Sequence, residues 1–147
     1  MGSDIVSQAG LIDRDRVESV LRADYARFPQ DQTYDLYALD VYFKDPTSEF
    51  RGRDRYERTI AFIARWFQEP VLDLHSLTWQ SDRRLRTDWT LRWTTPLPWR
   101  PRIAIDGWSE LTLNEAGLIA AHVDYWSTPI ASVIGQHFKA NQPASGS

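Results

Sequence analysis

An α+β fold, a curved antiparallel sheet wrapped by helices around a pocket, is what this sequence predicts. Three observations carry that expectation. Two amphipathic helical patterns occupy the first half of the chain, and four successive segments with period-two alternation fill the second half. Of the seven tryptophans, at 66, 79, 89, 93, 99, 108 and 126, five fall in the alternating segments. Large aromatics gathered in a sheet suggest a roomy core or a ligand cavity.

The first helix starts at Asp13, whose short side chain can accept from the free N–H groups of the first turn. Val17, Val20, Leu21, Tyr25 and Phe28 follow helical spacing, and Arg14, Arg16, Glu18 and Arg22 fill the wet face. Pro29 ends it, since proline lacks the N–H a helix needs. A short second helix is expected over 34–39, then a strand over 41–44 closed by an Asp45-Pro46 turn. Gly52 precedes a helix over 54–67, with Tyr56, Ile60, Ile63, Ala64 and Phe67 as its buried stripe. Strands follow at 71–80, 85–95, 102–113 and 118–127. Their connections are short, so they make an antiparallel meander. Residues 13–139 therefore read as one α+β domain, with 1–12 a loose lead-in and 140–147 a disordered tail.

Composition narrows the function classes. A chain of 147 residues can bury a real core. Its net charge is −3, with 17 Lys and Arg scattered among 20 acids, so nucleic acid is not an expected partner. There is no cysteine, which excludes disulfides, thiol catalysis and thiolate metal sites and fits a cytoplasmic setting. The N-terminus, MGSDIVSQAG, has neither the basic nor the apolar region of a signal peptide. No apolar run approaches the ~20 residues that span a bilayer, so no membrane association is expected.

The last two strands carry the candidate chemistry. Asn114-Glu115-Ala116-Gly117 reads as a type I turn closed by a left-handed Gly117, a G1 bulge that pairs Asn114 with Leu118. Counting outward sets Glu110 opposite His122, Trp108 opposite Asp124 and Asp106 opposite Trp126. One face then holds those six residues. The other holds Ile105, Ser109, Leu111, Leu113, Ile119, Ala121, Val123 and Tyr125. A slip of one residue would scramble these faces. Either the polar face is wet and the apolar one packs on helices, or the acids and tryptophans line a cavity and the apolar face is a subunit interface.

The order of elements, with the stretches VYFKDPTSEFRGRDRY and GLIAAHVDYW, resembles the nuclear transport factor 2-like (cystatin-like) superfamily. Its members include SnoaL-like cyclases, ketosteroid isomerases and limonene epoxide hydrolases. The chain also looks like an uncharacterised branch of it found in photosynthetic organisms. The resemblance covers roughly 13–130 and implies a cone-shaped fold with a pocket. The epoxide hydrolase comparison implies a water-activating carboxylate at Asp124, with His122, Trp126, Asp106 and Trp108 on the pocket side. That family's Tyr and Asn near the first strand correspond here to Phe43 and Asp45. Its Arg-x-Asp pair has a counterpart in Arg86-Thr87-Asp88, with Arg92 as the other candidate. The catalytic set thus transfers only in part.

Asp124 walled by Trp108 and Trp126 suits general acid or base work; the other reading pairs it with Arg92 as a core-ordering ion pair. Asp106 can polarise water beside Asp124, or simply be solvated next to Gly107. His122 can act as a base or bond Glu110 across the strands. Trp89, Leu91 and Trp93 read as core or interface. Asp73-x-His75 and His122-x-Asp124 lie three strand spacings apart, roughly 14 Å, too far to share one metal ion. No metal or cofactor is therefore expected. The leading reading is a homodimer, formed through the outer sheet face, that binds a small, largely apolar molecule. Trp108, His122, Trp126 and Phe43 would contact that molecule, and Asp124, Asp106 and Arg92 would be the catalytic candidates. The alternative is an isomerase, cyclase or epoxide-hydrolase-type enzyme using Asp124.

Overall fold

The computed structural model describes residues 12–139, so the expected lead-in before Ile12 and the tail over 140–147 lie outside the described residues. Three helices, α1 (Arg14–Arg27), α2 (Arg53–Trp66) and α3 (Ile130–Gln136), accompany six strands. These are β1 (Tyr37–Lys44), β2 (Glu49–Arg51), β3 (Gln68–Trp79), β4 (Arg84–Thr94), β5 (Arg102–Leu113) and β6 (Ile119–Trp126). They form one curved sheet in the order β2-β1-β6-β5-β4-β3. The run β3 to β6 is the expected antiparallel meander, and β1 joins it parallel to β6. Among the described residues no helix is long and apolar enough to cross a membrane.

Asp13 caps α1 by accepting from the Arg16 N–H at 3.0 Å. Val17 and Leu21 on its inner face are essentially unexposed. The expected helix over 34–39 is instead a single 3-10 turn, Tyr34–Leu36, and β1 starts at Tyr37. The parallel pairing of Tyr37 with Ile119, 82 residues away in sequence, claims these positions for the sheet. β2 is three residues long, too short for an alternation to show. It is placed by Asp45, whose Oδ1 accepts from the N–H groups of Thr47 (2.8 Å) and Ser48 (2.7 Å). α3 has no counterpart in the sequence reading. It packs beside β5 where β6 has ended, and the Gln136 amide accepts from the Ala104 N–H and donates to the Ala104 carbonyl, at 2.7 and 3.0 Å.

The Asn114 turn forms as read. Asn114 N–H donates to the Leu118 carbonyl at 2.8 Å, Gly117 N–H to the Asn114 carbonyl at 3.0 Å, and Gly117 has φ +80°. Two residues further on, the ladder changes register. Leu113 pairs with Ile119, but Thr112 pairs with Ala121, so Ala120 is an extra residue. β1 slips at the same level, between Tyr37 and Tyr42. β3 slips likewise at His75, which leaves both His75 and Ser76 exposed while Leu72, Leu74, Leu77 and Trp79 pack against the core. Bulges bend strands, and these bend the sheet around the helices. The core on its concave side includes Leu85, Ile103, Ile105, Leu111 and Ile119, all at most 2 % exposed.

Candidate functional site

A cavity of about 450 Å³ lies between the concave face of the sheet and helices α1 and α2. β4 supplies Trp89 and Trp93, β5 Ile105 and Ser109, β6 His122, Asp124 and Trp126, and β1 Phe43. α1 adds Leu21 and Tyr25, and α2 adds Tyr56 and Ile60. The exposed members of the wall, Thr47, Ser48 and Phe62, mark where it meets solvent.

A hydrogen-bonded chain crosses three strands inside it. Trp89 Nε1–H donates to Ser109 Oγ at 2.8 Å, and Ser109 donates in turn to Asp124 Oδ1 at 2.5 Å. His122 Nε2 meets the same carboxylate oxygen at 2.7 Å. Asp124 Oδ2 accepts no hydrogen bond among the described residues, and the Asp124 side chain is 18 % exposed. The His122 ring lies against Phe43 and Tyr56, with centroids 5.1 and 5.8 Å away, and its buried Nδ1 has no partner among the described residues.

Two other acids border the cavity. Asp24 is satisfied by Arg27 (2.8 Å), the Thr33 hydroxyl (2.8 Å) and the Thr33 N–H (3.0 Å). Asp45 serves the β1–β2 turn. Three phenols are sealed into the wall. Burial pushes Tyr25 up to about 12; its bond to Thr87 at 2.9 Å pulls the other way, and the charge of Asp124 adds to the rise. Burial likewise holds Tyr37 and Tyr56 well above the usual phenol range. They share a hydrogen bond of 3.1 Å.

The bulge at Ala120 redistributes the residues that the sequence had placed on one face. Phe43, His122, Asp124 and Trp126 line the cavity. Asp106 and Trp108 do not: the residues opposite Asp124 and Trp126 are Ser109 and Gly107, and Trp108 pairs with Tyr125 on the outer face. There Trp108 stacks on Tyr125 at 5.2 Å and lies under the Arg86 guanidinium. Asp106 accepts from the Thr90 hydroxyl, which also meets His75. Arg92, the expected partner of Asp124, is bound to Asp73 on that same outer face. Glu110 faces out as well, and Leu111 stands opposite His122. The Arg86-Thr87-Asp88 pair closes on itself at 2.8 Å outside the cavity. The residues Ile105, Ser109, Leu111, Leu113 and Ile119, expected at a subunit interface, belong to the helix-covered side. His75 and His122 thus sit on opposite faces of the sheet as well as on distant strands.

Residues 15–122 match the family model described as "Uncharacterized conserved protein (DUF2358)". The chain belongs to this family. No curated protein matches it. Among solved structures, a candidate polyketide cyclase from Pseudomonas putida superposes with a TM-score of 0.68 at 15 % identity, over 82 % of this chain and 94 % of that one. A hypothetical protein of ketosteroid isomerase-like fold from Catenulispora acidiphila, solved with trimethylamine, gives 0.66 at 15 % identity, over 82 % and 90 %. An LEH-like epoxide hydrolase from M. tuberculosis gives 0.64 at 12 % identity, over 82 % and 86 %. At these identities the likeness establishes the fold, a nuclear transport factor 2-like cone, and leaves function to the site itself.

Sequence reasoning passed over Ser109, Tyr25 and Tyr56 as site residues. Ser109 carried a signal: a hydroxyl in an otherwise apolar alternate row with Ile103, Ile105, Leu111 and Leu113. Buried hydroxyls need partners, and here the partner is Asp124. The tyrosines sat in helical apolar stripes, where nothing separates a pocket wall from ordinary core.

Proposed function

We propose that this protein binds a small, largely apolar molecule in the cavity and holds it by Asp124. The observation that carries the reading is the free Oδ2 of a carboxylate enclosed by aromatic walls, with Oδ1 anchored from two sides. A fixed polar group in an apolar cavity orients a ligand by one directed hydrogen bond. The hydrogen bond from His122 to Asp124 supports a second reading, an isomerase, cyclase or epoxide-hydrolase-type enzyme with Asp124 as general acid or base. The names of the neighbouring structures run in that direction. Asp106 and Arg92, the expected partners of Asp124, face away, and the two other acids at the cavity are engaged by Arg27 and by the β1–β2 turn, which weighs toward binding without chemistry.

Asp124→Asn separates a working carboxylate from a structural one. Asparagine still accepts from Ser109, so stability should change by no more than about 1 kcal/mol, while ligands found in a small-molecule thermal-shift screen should bind about tenfold or more weaker. A loss of several kcal/mol with binding retained by the folded fraction would make Asp124 a core-ordering group and end this reading.

The homodimer proposal keeps the outer sheet face, where Val123 and Tyr125 remain, but Trp108 joins them and Ile119 and its row of β5 partners have turned inward. The outer face presents the Trp108–Tyr125 stack, with Tyr125 40 % and Val71 42 % exposed. Sedimentation at micromolar concentration should report twice the chain mass, and Tyr125→Asp should return it to the monomer. A monomeric wild type removes the proposal.

A further inference from the structure

We infer that the ligand of this cavity is an organic cation, a protonated amine on an apolar frame. The inference rests on the binding reading above and adds the charge class of the ligand. Among the described residues, no lysine or arginine lines the cavity. Of its three acids, Asp24 is neutralised by Arg27, and Asp45 belongs to the turn at the rim. Asp124 has neither arrangement. Its partners are a serine hydroxyl and the imidazole of His122, neither of them a permanent cation. A carboxylate enclosed without a countercharge is costly. A cationic ligand supplies the missing charge at the one oxygen left free.

The walls favour the same class. Tyr25, Tyr56, Trp89 and Trp126 share the cavity with Asp124. Aromatic faces attract cations, most strongly where water is excluded. The phenols of Tyr25 and Tyr56 both feel the charge of Asp124 and both keep their protons well beyond the usual range. They therefore bring no second negative charge that would need a second cation. An anionic ligand would meet a carboxylate and the negative faces of several rings, with no lysine or arginine among the described residues of the wall to receive it.

Three probes of one shape decide the matter: adamantylamine, adamantanol and adamantanecarboxylate, titrated calorimetrically into the full chain near neutral pH. The amine should bind about tenfold or more tighter than the alcohol, and the carboxylate should not bind. In Asp124→Asn the amine should lose about tenfold or more in affinity, and with it its advantage over the alcohol. Equal affinities for amine and alcohol on the wild type overturn the charge class and leave a neutral-ligand cavity standing. Binding of the carboxylate overturns it too. Failure of all three to bind overturns both this inference and the binding reading beneath it. The wild-type comparison needs no variant, so a poorly folded Asp124→Asn protein does not protect the inference.

Discussion

Gly107→Ala is expected to destabilise the protein by about 3 kcal/mol and to disturb the cavity wall with it. Gly107 sits on the concave side of β5, opposite Trp126 on one neighbour and Trp89 on the other. A Cβ there would lie 2.3 Å from the Tyr125 carbonyl oxygen, 2.9 Å from Trp89 Cη2 and 3.2 Å from Trp89 Cζ2. The backbone is not in the left-handed region, so the cost is space alone. The carbonyl belongs to a paired strand and cannot retreat without opening the β5–β6 ladder. The indole is pinned through Nε1 to Ser109, so any retreat of the ring drags the group that anchors Asp124. Chemical denaturation measures the loss, and tryptophan fluorescence reports the ring. Gly135→Ala in α3 is the control. Its Cβ would meet nothing within 4 Å, and alanine is the better helix former there. If Gly107→Ala matched that control in stability, the close packing of Trp89 across β5 would be wrong.

The same corner of the sheet shows how much the sequence could reveal. Local spacing was legible: the stripe Val17, Leu21, Tyr25 and the alternation from Leu85 to Trp93 depend on neighbours a few residues away. The Asn114 turn was legible because Gly117 in the left-handed region has few chemical alternatives. What could not be counted through was a bulge. One extra residue at Ala120 turns every later pair by one, so His122, Asp124 and Trp126 reach the cavity while Asp106 and Trp108 leave it. The bulge in β3 did leave a trace, the shift in parity from Leu72 and Leu74 to Leu77 and Trp79. At Ala120-Ala121 the two candidate residues are chemically identical, and nothing marks which is inserted. The early start of β1 was hidden for a different reason. Its cause is a parallel partner 82 residues downstream at Ile119, and no local pattern at Tyr37 contains that information.

Between pH 10 and 12 the fold should open, with Tyr25, Tyr37 and Tyr56 ionising as it does. All three hydroxyls are buried between helices and sheet, where a phenolate charge would have no water. Each folded-state pKa is raised, so the stabilisation is complete below the unfolded value of 10 and is lost as pH climbs toward the folded value. For Tyr25, raised to about 12, that amounts to roughly 2 kcal/mol by pH 12. Tyr37 and Tyr56 add to it. The sum is a large share of the ~5–15 kcal/mol that holds a domain together. Tyrosinate absorbance from these residues should therefore rise together with the loss of far-ultraviolet circular dichroism. Tyr25→Phe tests the assignment at one site. It removes the bond to Thr87 and should cost about 1 kcal/mol at neutral pH. Above pH 10, unfolding free energy should then fall less steeply, by up to about 1.4 kcal/mol per pH unit, because one fewer proton is released on opening. Phenolates that form while the circular dichroism stays native would mean that these hydroxyls reach water, and that the wall around Asp124 is not closed.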